Sequence, residues 1–111
     1  MKTGMFYKRL LKSADPEKAR VQAYYGTSPD PKNRVLTHTV KLTEVLGELC
    51  NEILALQMTQ RQEKLTQHNV DTLSDHFSDV FMATLLLAKA LDVPVNKAMR
   101  DKLRKISKRK R

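Results

Sequence analysis

The chain has 111 residues, the size of one domain, and 41% of them are hydrophobic and 30% charged. This composition is too apolar for a disordered chain and is typical of a small globular protein. The net charge is +9, but residues 97–111 hold nine Lys or Arg residues and a single Asp, so the rest of the chain is nearly neutral. We therefore expect a globular body followed by a basic C-terminal segment.

Cysteine usage and hydropathy indicate the compartment. Cys50 is the only cysteine, which excludes an internal disulfide and favours a reducing environment. No His lies three or four residues from it, so we expect a buried, unreactive thiol. The longest apolar run covers residues 80–88 and is broken by Thr84, whereas spanning a bilayer takes about 20 apolar residues. We expect a cytoplasmic protein with no membrane partner.

Residues 1–31 are predicted to form an N-terminal helical segment and a linker. Residues 5–12 have the composition of one or two helical turns. Asp15 and Pro16 are typical of a cap and first position of a helix, and that helix is expected to end near Tyr25. A Pro-rich turn follows it.

Residues 32–96 carry the periodicity of core helices. The apolar stripe of the first helix is predicted to contain Leu42, Val45, Leu46, Leu49, Ile53 and Leu56. The polar residues 59–69 either extend this helix or form a loop. A second helix is predicted over residues 71–91, with Val70, Leu73, Phe77, Val80, Phe81, Leu85 and Ala88 as its main stripe. Met82 and Leu86 make this helix apolar on nearly all sides, which predicts a second burial surface supplied by another subunit.

The third helix is predicted to follow Pro94 and to carry the basic tail. Its apolar stripe is Val95, Ala98, Met99, Leu103 and Ile106, and residues 97–111 form a basic C-terminal helix or tail. No alternation typical of strands occurs. The prediction is a single all-α domain over residues 1–111, a helical bundle completed by assembly into a homodimer or homotetramer.

Acidic residues lie one helical turn apart on both core helices. Glu44 and Glu48 can point the same way, and so can Asp75 and Asp79. If the helices pack antiparallel through their apolar stripes, these carboxylates flank one groove. Mg²⁺ prefers oxygen ligands and commonly joins carboxylates to substrate phosphates. The alternative is that both acidic faces are simply solvated.

Residues 42–109 resemble the MazG-like all-α nucleoside triphosphate pyrophosphohydrolases. The resemblance rests on Leu42, Glu44, Gly47, Glu48 and Leu49, and then on Asp79-Val80, Leu87-Ala88, Leu91 and Lys102-Leu103, in the family's order and spacing. The family motif is Glu-Glu-x-x-Glu on one helix and Glu-x-x-Asp on the next. The resemblance implies a helical bundle that binds Mg²⁺ and hydrolyses (deoxy)nucleoside triphosphates to monophosphates and pyrophosphate.

The family's metal ligands carry over to Glu44, Glu48 and Asp79 only. The second Glu of the first motif is replaced by Val45, at the border of the apolar stripe, and we expect its side chain to join the core. The Glu of the second motif is replaced by His76, and an imidazole ligand suits Mn²⁺ better than Mg²⁺. The expected result is one bound metal rather than a complete multi-metal site.

The positions of further residues in the sequence suggest roles for them near the metal or the substrate. Asp75 and Glu52 are near enough in the sequence to act as substitute ligands. Lys102 and Arg109 match basic positions of the family that contact substrate phosphates, although Ile106 replaces an Asn usual in that segment. We expect His38 and His68 to have surface or satisfied polar roles.

Three functions stay open. The first is a divalent-metal-dependent nucleotide pyrophosphohydrolase with an altered site. The second is a catalytically inactive MazG-like module that binds a nucleotide or a protein. The third is a small basic protein that binds nucleic acid through backbone charge alone. No aromatic residue follows Phe81, which argues against base stacking by the tail. The tail can also be a solvated end.

Overall fold

In a computed structural model of the protein, the described residues are 8–10, 12, 19, 30–59 and 66–109. They include three long helices: α1 (Pro31–Thr59), α2 (Gln67–Ala90) and α3 (Val95–Arg109). No strand occurs among these residues. The predicted all-α fold class is therefore confirmed. Most of the predicted N-terminal helical segment lies outside the described residues.

Helix α1 begins at Pro31 because Asp30 caps it. The Asp30 side chain accepts a hydrogen bond from the backbone N–H of Lys32 at 3.0 Å, and its carbonyl accepts one from Arg34 at 3.2 Å. Pro31 occupies the first helical position, where a missing N–H costs nothing. The helix then runs for 29 residues to Thr59, so it covers the whole predicted stripe.

Helix α2 begins at Gln67, four residues before the predicted start. The Thr66 hydroxyl accepts a hydrogen bond from the backbone N–H of Asn69 at 3.1 Å and so caps the helix. The Gln67 amide donates to the Asp71 carboxylate, one turn later, at 2.9 Å. Residues 66–69 of the ambiguous polar segment are therefore the cap and first turn of α2.

The turn between α2 and α3 confirms the predicted restart at Pro94. Asp92 adopts a positive φ of 57°, a conformation that Asp and Asn tolerate better than most residues. This allows the N–H of Val93 to reach back to the carbonyl of Ala88 at 2.9 Å. The Pro94 carbonyl then accepts a hydrogen bond from Ala98 at 2.9 Å and opens α3.

The core lies between α1 and α2, which form the only extensive helix–helix contact in the described part of the chain. Residues early in α1 and residues late in α2 line the same cavity, so the two helices run antiparallel. The buried apolar side chains are Val45, Leu49, Ala83, Leu85 and Leu86. The sequence prediction of two core helices packed through apolar faces is confirmed for this pair.

The buried face of α2 differs from the predicted one. Phe77 and Phe81 were expected in the main stripe, but their exposed fractions are 46% and 69%. Ala83 and Leu86 are buried instead. Because α2 is apolar on several sides, α1 can cover only one of them. On α1, Leu46 is likewise exposed rather than packed.

Helix α3 has no buried residue. Its apolar side chains Met99, Leu103 and Ile106 are exposed. The helix therefore contributes little to the core formed by α1 and α2. Among the described helices, none combines the length and the hydropathy that a bilayer crossing requires.

Candidate functional site

The acidic motif of α1 lies beside the core and faces solvent. Glu44 and Glu48 are exposed, whereas Val45, with an exposed fraction of 3%, and Leu49 are buried. The Glu44 carboxylate lies 3.5 Å from the ammonium group of Lys41, three residues earlier. The expected burial of Val45 is confirmed. A buried isopropyl group cannot bind a metal, so this position contributes packing only.

On α2, the acidic residues and His76 differ in environment. Asp75 and Asp79 are exposed, but His76 is half-buried. Its Nδ1 atom is buried and has no hydrogen-bond partner in the described part of the chain. Glu52 on α1, the other substitute ligand named with Asp75, is also half-buried. His76 and Glu52 are therefore less accessible to solvent than Asp75 and Asp79.

Within the described residues, no group of three or more His, Cys, Asp or Glu side chains is arranged to hold a metal ion. The divalent-metal site formed by Glu44, Glu48 and Asp79 therefore remains a prediction. The same holds for His76, Asp75 and Glu52 as additional ligands.

The predicted phosphate contacts Lys102 and Arg109 are exposed on α3. The best-defined ion pair of this helix joins Lys97 to Asp101 at 2.8 Å, and Arg104 lies 3.6 Å from the same carboxylate. Exposed pairs of this kind contribute at most about 1 kcal/mol. The tail is therefore a solvated, strongly basic surface in the described chain.

A cavity of about 330 Å³ lies between the N-terminal part of α1 and the C-terminal end of α2. It is lined by Arg34, His38, Leu86, Lys89, Ala90 and Asp92. None of the predicted metal ligands contributes to it. The sequence interpretation missed this cluster, because Arg34 and His38 are separated by about 50 residues from Lys89 and Asp92. The only sequence signal of this cluster was the i, i+4 spacing of Arg34 and His38, which places both on one side of a helix.

One residue corrects the sequence analysis, and two histidines each take one of their expected roles. Cys50 is exposed, so the expected buried thiol is wrong; it follows the buried Leu49 on the helix and is turned about 100° away from it. His38 is buried, with an exposed fraction of 3%, so of its two expected roles the satisfied polar one applies. His68 is exposed, in agreement with the expected surface role.

No protein-family model, curated protein sequence or solved structure matches the chain. The resemblance to MazG-like enzymes thus rests on the sequence motifs alone and remains a prediction.

Proposed function

We propose that this protein is a MazG-like nucleotide pyrophosphohydrolase with an altered divalent-metal site. It hydrolyses (deoxy)nucleoside triphosphates to monophosphates and pyrophosphate. The observation that carries the proposal is the pairing of α1 and α2, since these helices bear the two motifs. Val45 and Leu49 face the interface, while Glu44 and Glu48 stay accessible to a ligand.

The proposed metal ligands are Glu44, Glu48 and Asp79. All three are exposed and can change rotamer without disturbing the core. Gly47, between the two Glu residues, has open space where a Cβ would lie, so the backbone of α1 is accessible there. A bound Mg²⁺ or Mn²⁺ would neutralise triphosphate charge and activate water. Lys102 and Arg109 are the proposed phosphate contacts.

His76 supports Mn²⁺ as the more suitable ion. A buried ring nitrogen without a partner is costly, by about 1–3 kcal/mol, and coordination would satisfy it. Imidazole suits the transition metals better than Mg²⁺. His76, with Asp75 or Glu52 beside it, is therefore the proposed replacement for the missing Glu of the second motif.

The second candidate is a catalytically inactive MazG-like module that binds a nucleotide or a protein partner. The burial of Val45 favours it, because one ligand position is occupied by a core side chain. A third candidate, association with nucleic acid, rests on the exposed basic residues of α3. Such binding would be salt-sensitive and independent of sequence.

Assembly into a homodimer or homotetramer is part of the proposal. Phe77 and Phe81 lie exposed on α2, and a second copy of the chain would cover them. Sedimentation equilibrium should give at least a dimer. Phe81→Glu should shift the mass toward the monomer, because a carboxylate is costly in an apolar interface. A monomeric wild type contradicts this part of the proposal.

The decisive experiment measures pyrophosphate release from each (deoxy)nucleoside triphosphate, first in Mg²⁺ and then in Mn²⁺. Asp79→Asn should lower turnover by about 10- to 100-fold or more through loss of a metal ligand. Asp71→Asn, an exposed carboxylate on the same helix outside the motif, is the matched control and should leave turnover unchanged. No turnover in either metal refutes the hydrolase.

Two further measurements separate the alternatives. Retained nucleotide binding in calorimetry, without turnover, favours the inactive module. For the nucleic-acid role, deletion of residues 104–111 should abolish retention of DNA or RNA at low salt. Retention that survives this deletion argues against the tail as the binding segment.

A further inference from the structure

We propose that α3 lies on the surface of an anionic lipid bilayer, with its apolar side turned to the lipid and its basic residues beside the headgroups. This apolar side, the α3 stripe, consists of Val95, Met99, Leu103 and Ile106. The proposal is independent of the hydrolase, because it needs neither a metal nor a nucleotide. It departs from the expectation of no membrane partner, which rested on the lack of a segment that could span a bilayer. A helix that lies in the plane of the surface needs no such length.

The α3 stripe has no role in the core. Met99, Leu103 and Ile106 have exposed fractions of 53%, 60% and 45%, and Val95 is half-buried. The four residues follow the spacing i, i+4, i+8 and i+11, so they share one side of the helix. In the described part of the chain the only extensive helix–helix contact joins α1 to α2. Packing against the body of the protein therefore does not explain why this side of α3 is apolar.

The charges of α3 are arranged around the stripe. The basic residues of the helix are Lys97, Arg100, Lys102, Arg104, Lys105, Lys108 and Arg109. At about 100° per residue, its acidic residue Asp101 lies on the side opposite the stripe. There it pairs with Lys97 at 2.8 Å and Arg104 at 3.6 Å. Arg100 and Lys105 lie closer to the two edges of the stripe and are exposed. The helix thus has an apolar centre, cationic edges and an ion-paired back.

This arrangement matches an anionic lipid surface. The phosphate backbone of a nucleic acid attracts basic residues but gives an apolar stripe nothing to contact. A flat lipid surface touches one side of the helix only, so the ion-paired back of α3 stays in water. Interfacial helices combine these properties, with Lys and Arg on the polar face and a low overall hydrophobicity. Each Lys or Arg near an anionic surface strengthens binding by about fivefold.

Sedimentation with sucrose-loaded vesicles tests the binding of the whole chain. The protein should sediment with vesicles of phosphatidylcholine mixed with phosphatidylserine and stay in solution with phosphatidylcholine alone. Added salt should weaken the binding, because it screens the attraction between α3 and the headgroups. An oligonucleotide and polyglutamate, offered separately, test whether another polyanion is preferred.

Two leucines of nearly equal exposure test the α3 stripe. Leu103→Gln should weaken vesicle binding by about tenfold or more, through loss of a side chain that the lipid buries. Leu54→Gln is the matched control, because Leu54 is 59% exposed on α1. It should leave vesicle binding unchanged.

Paired charge variants test the orientation of the helix. Arg100→Gln with Lys105→Gln removes two charges from the edges of the stripe and should weaken binding by about 20-fold. Lys97→Gln with Arg104→Gln removes the same charge from the back and should weaken it clearly less. Circular dichroism checks the fold of each variant.

A fluorescent label tests whether the stripe enters the lipid. Cys50 is the only cysteine, so Cys50→Ser gives a background for single labelling sites. A label at Ile106→Cys should shift its emission to the blue when vesicles are added. A label at Lys108→Cys, on the back of the helix, should not.

Several results would overturn the proposal. They are a failure to sediment with the mixed vesicles, equal binding to phosphatidylcholine alone, wild-type binding by Leu103→Gln, and equal emission shifts at positions 106 and 108. Retention of the oligonucleotide or of polyglutamate without vesicle binding assigns α3 to nucleic acid or to an acidic protein instead. A lower mass of Leu103→Gln in sedimentation equilibrium assigns the stripe to a second copy of the chain.

Discussion

If the proposed metal site is correct, the double substitution Val45→Glu with His76→Glu, which introduces the two carboxylates of the MazG-like motif, should make the stability of the protein depend on Mg²⁺. Val45 is 3% exposed and His76 is half-buried with a buried ring nitrogen. Both positions therefore place a new carboxylate near the interface of α1 and α2. Without a cation, these negative charges are desolvated and repel each other.

The size of the effect follows from burial. An uncompensated buried charge costs about 3–5 kcal/mol, a large part of the roughly 5–15 kcal/mol that holds a small domain folded. Mg²⁺ at 100 times its dissociation constant stabilises the folded double variant by about 2.7 kcal/mol. For a domain of this size, that corresponds to an increase in Tm of roughly 10–15 °C. If the geometry is productive, pyrophosphate release should also appear or rise.

Thermal unfolding by circular dichroism, with and without Mg²⁺, measures this dependence. The matched control is Val45→Gln with His76→Gln, which has nearly the same size but no charge. The control should lose stability and show no gain from Mg²⁺ beyond that of the wild type. If Mg²⁺ raises the Tm of both double variants equally, positions 45 and 76 do not face a common ion, and the reasoning from the family motif is refuted.

Four further outcomes are expected. The Leu86 side chain is 2% exposed, and Leu86→Ala should lower the free energy of unfolding, measured by urea denaturation, by about 2–5 kcal/mol. The Leu54 side chain is 59% exposed, and Leu54→Ala should lower it by under about 1 kcal/mol. Equal losses would contradict the core assignment. Thr66→Ala should cost about 1 kcal/mol through loss of the α2 cap, and Thr66→Ser should restore it. Gly47→Ala should stabilise α1 by about 0.5–1 kcal/mol, because nothing occupies the space of the added methyl group; a loss of stability would show that something packs there. Cys50 should react with a thiol reagent in native buffer nearly as fast as in urea, and complete protection would contradict its exposure.

The local features of the helices were accessible from the sequence. Pro31 just after Asp30, and the Asp92-Val93-Pro94 turn, mark boundaries that depend on backbone geometry and on hydrogen bonds to neighbouring residues. The burial of Val45 also followed from periodicity, because α1 has a single dominant apolar side. The start of α2 was less clear, since a polar stretch can be either a loop or a capped first turn.

The candidate site was only partly predictable. Spacing places Glu44 beside Glu48 and His76 beside Asp79, but it does not give the distance between the two helices. The cavity residues Arg34, His38, Lys89 and Asp92 carry no joint signal, because the start of α1 and the end of α2 are distant in the sequence although they meet at one end of the antiparallel pair. Whether these residues come together depends on the position of α1 along the axis of α2.

The sequence alone determined that this protein is all-α and that a Pro-containing turn precedes α3, and it left the polar segment after α1 open as helix or loop. These properties depend on interactions among near neighbours in the chain. Tertiary structure decided which side of α2 is buried, leaving Phe81 exposed and Ala83 inside. A helix that is apolar on several sides has no unique inward face, so the packing of its partner helix decides which side is buried.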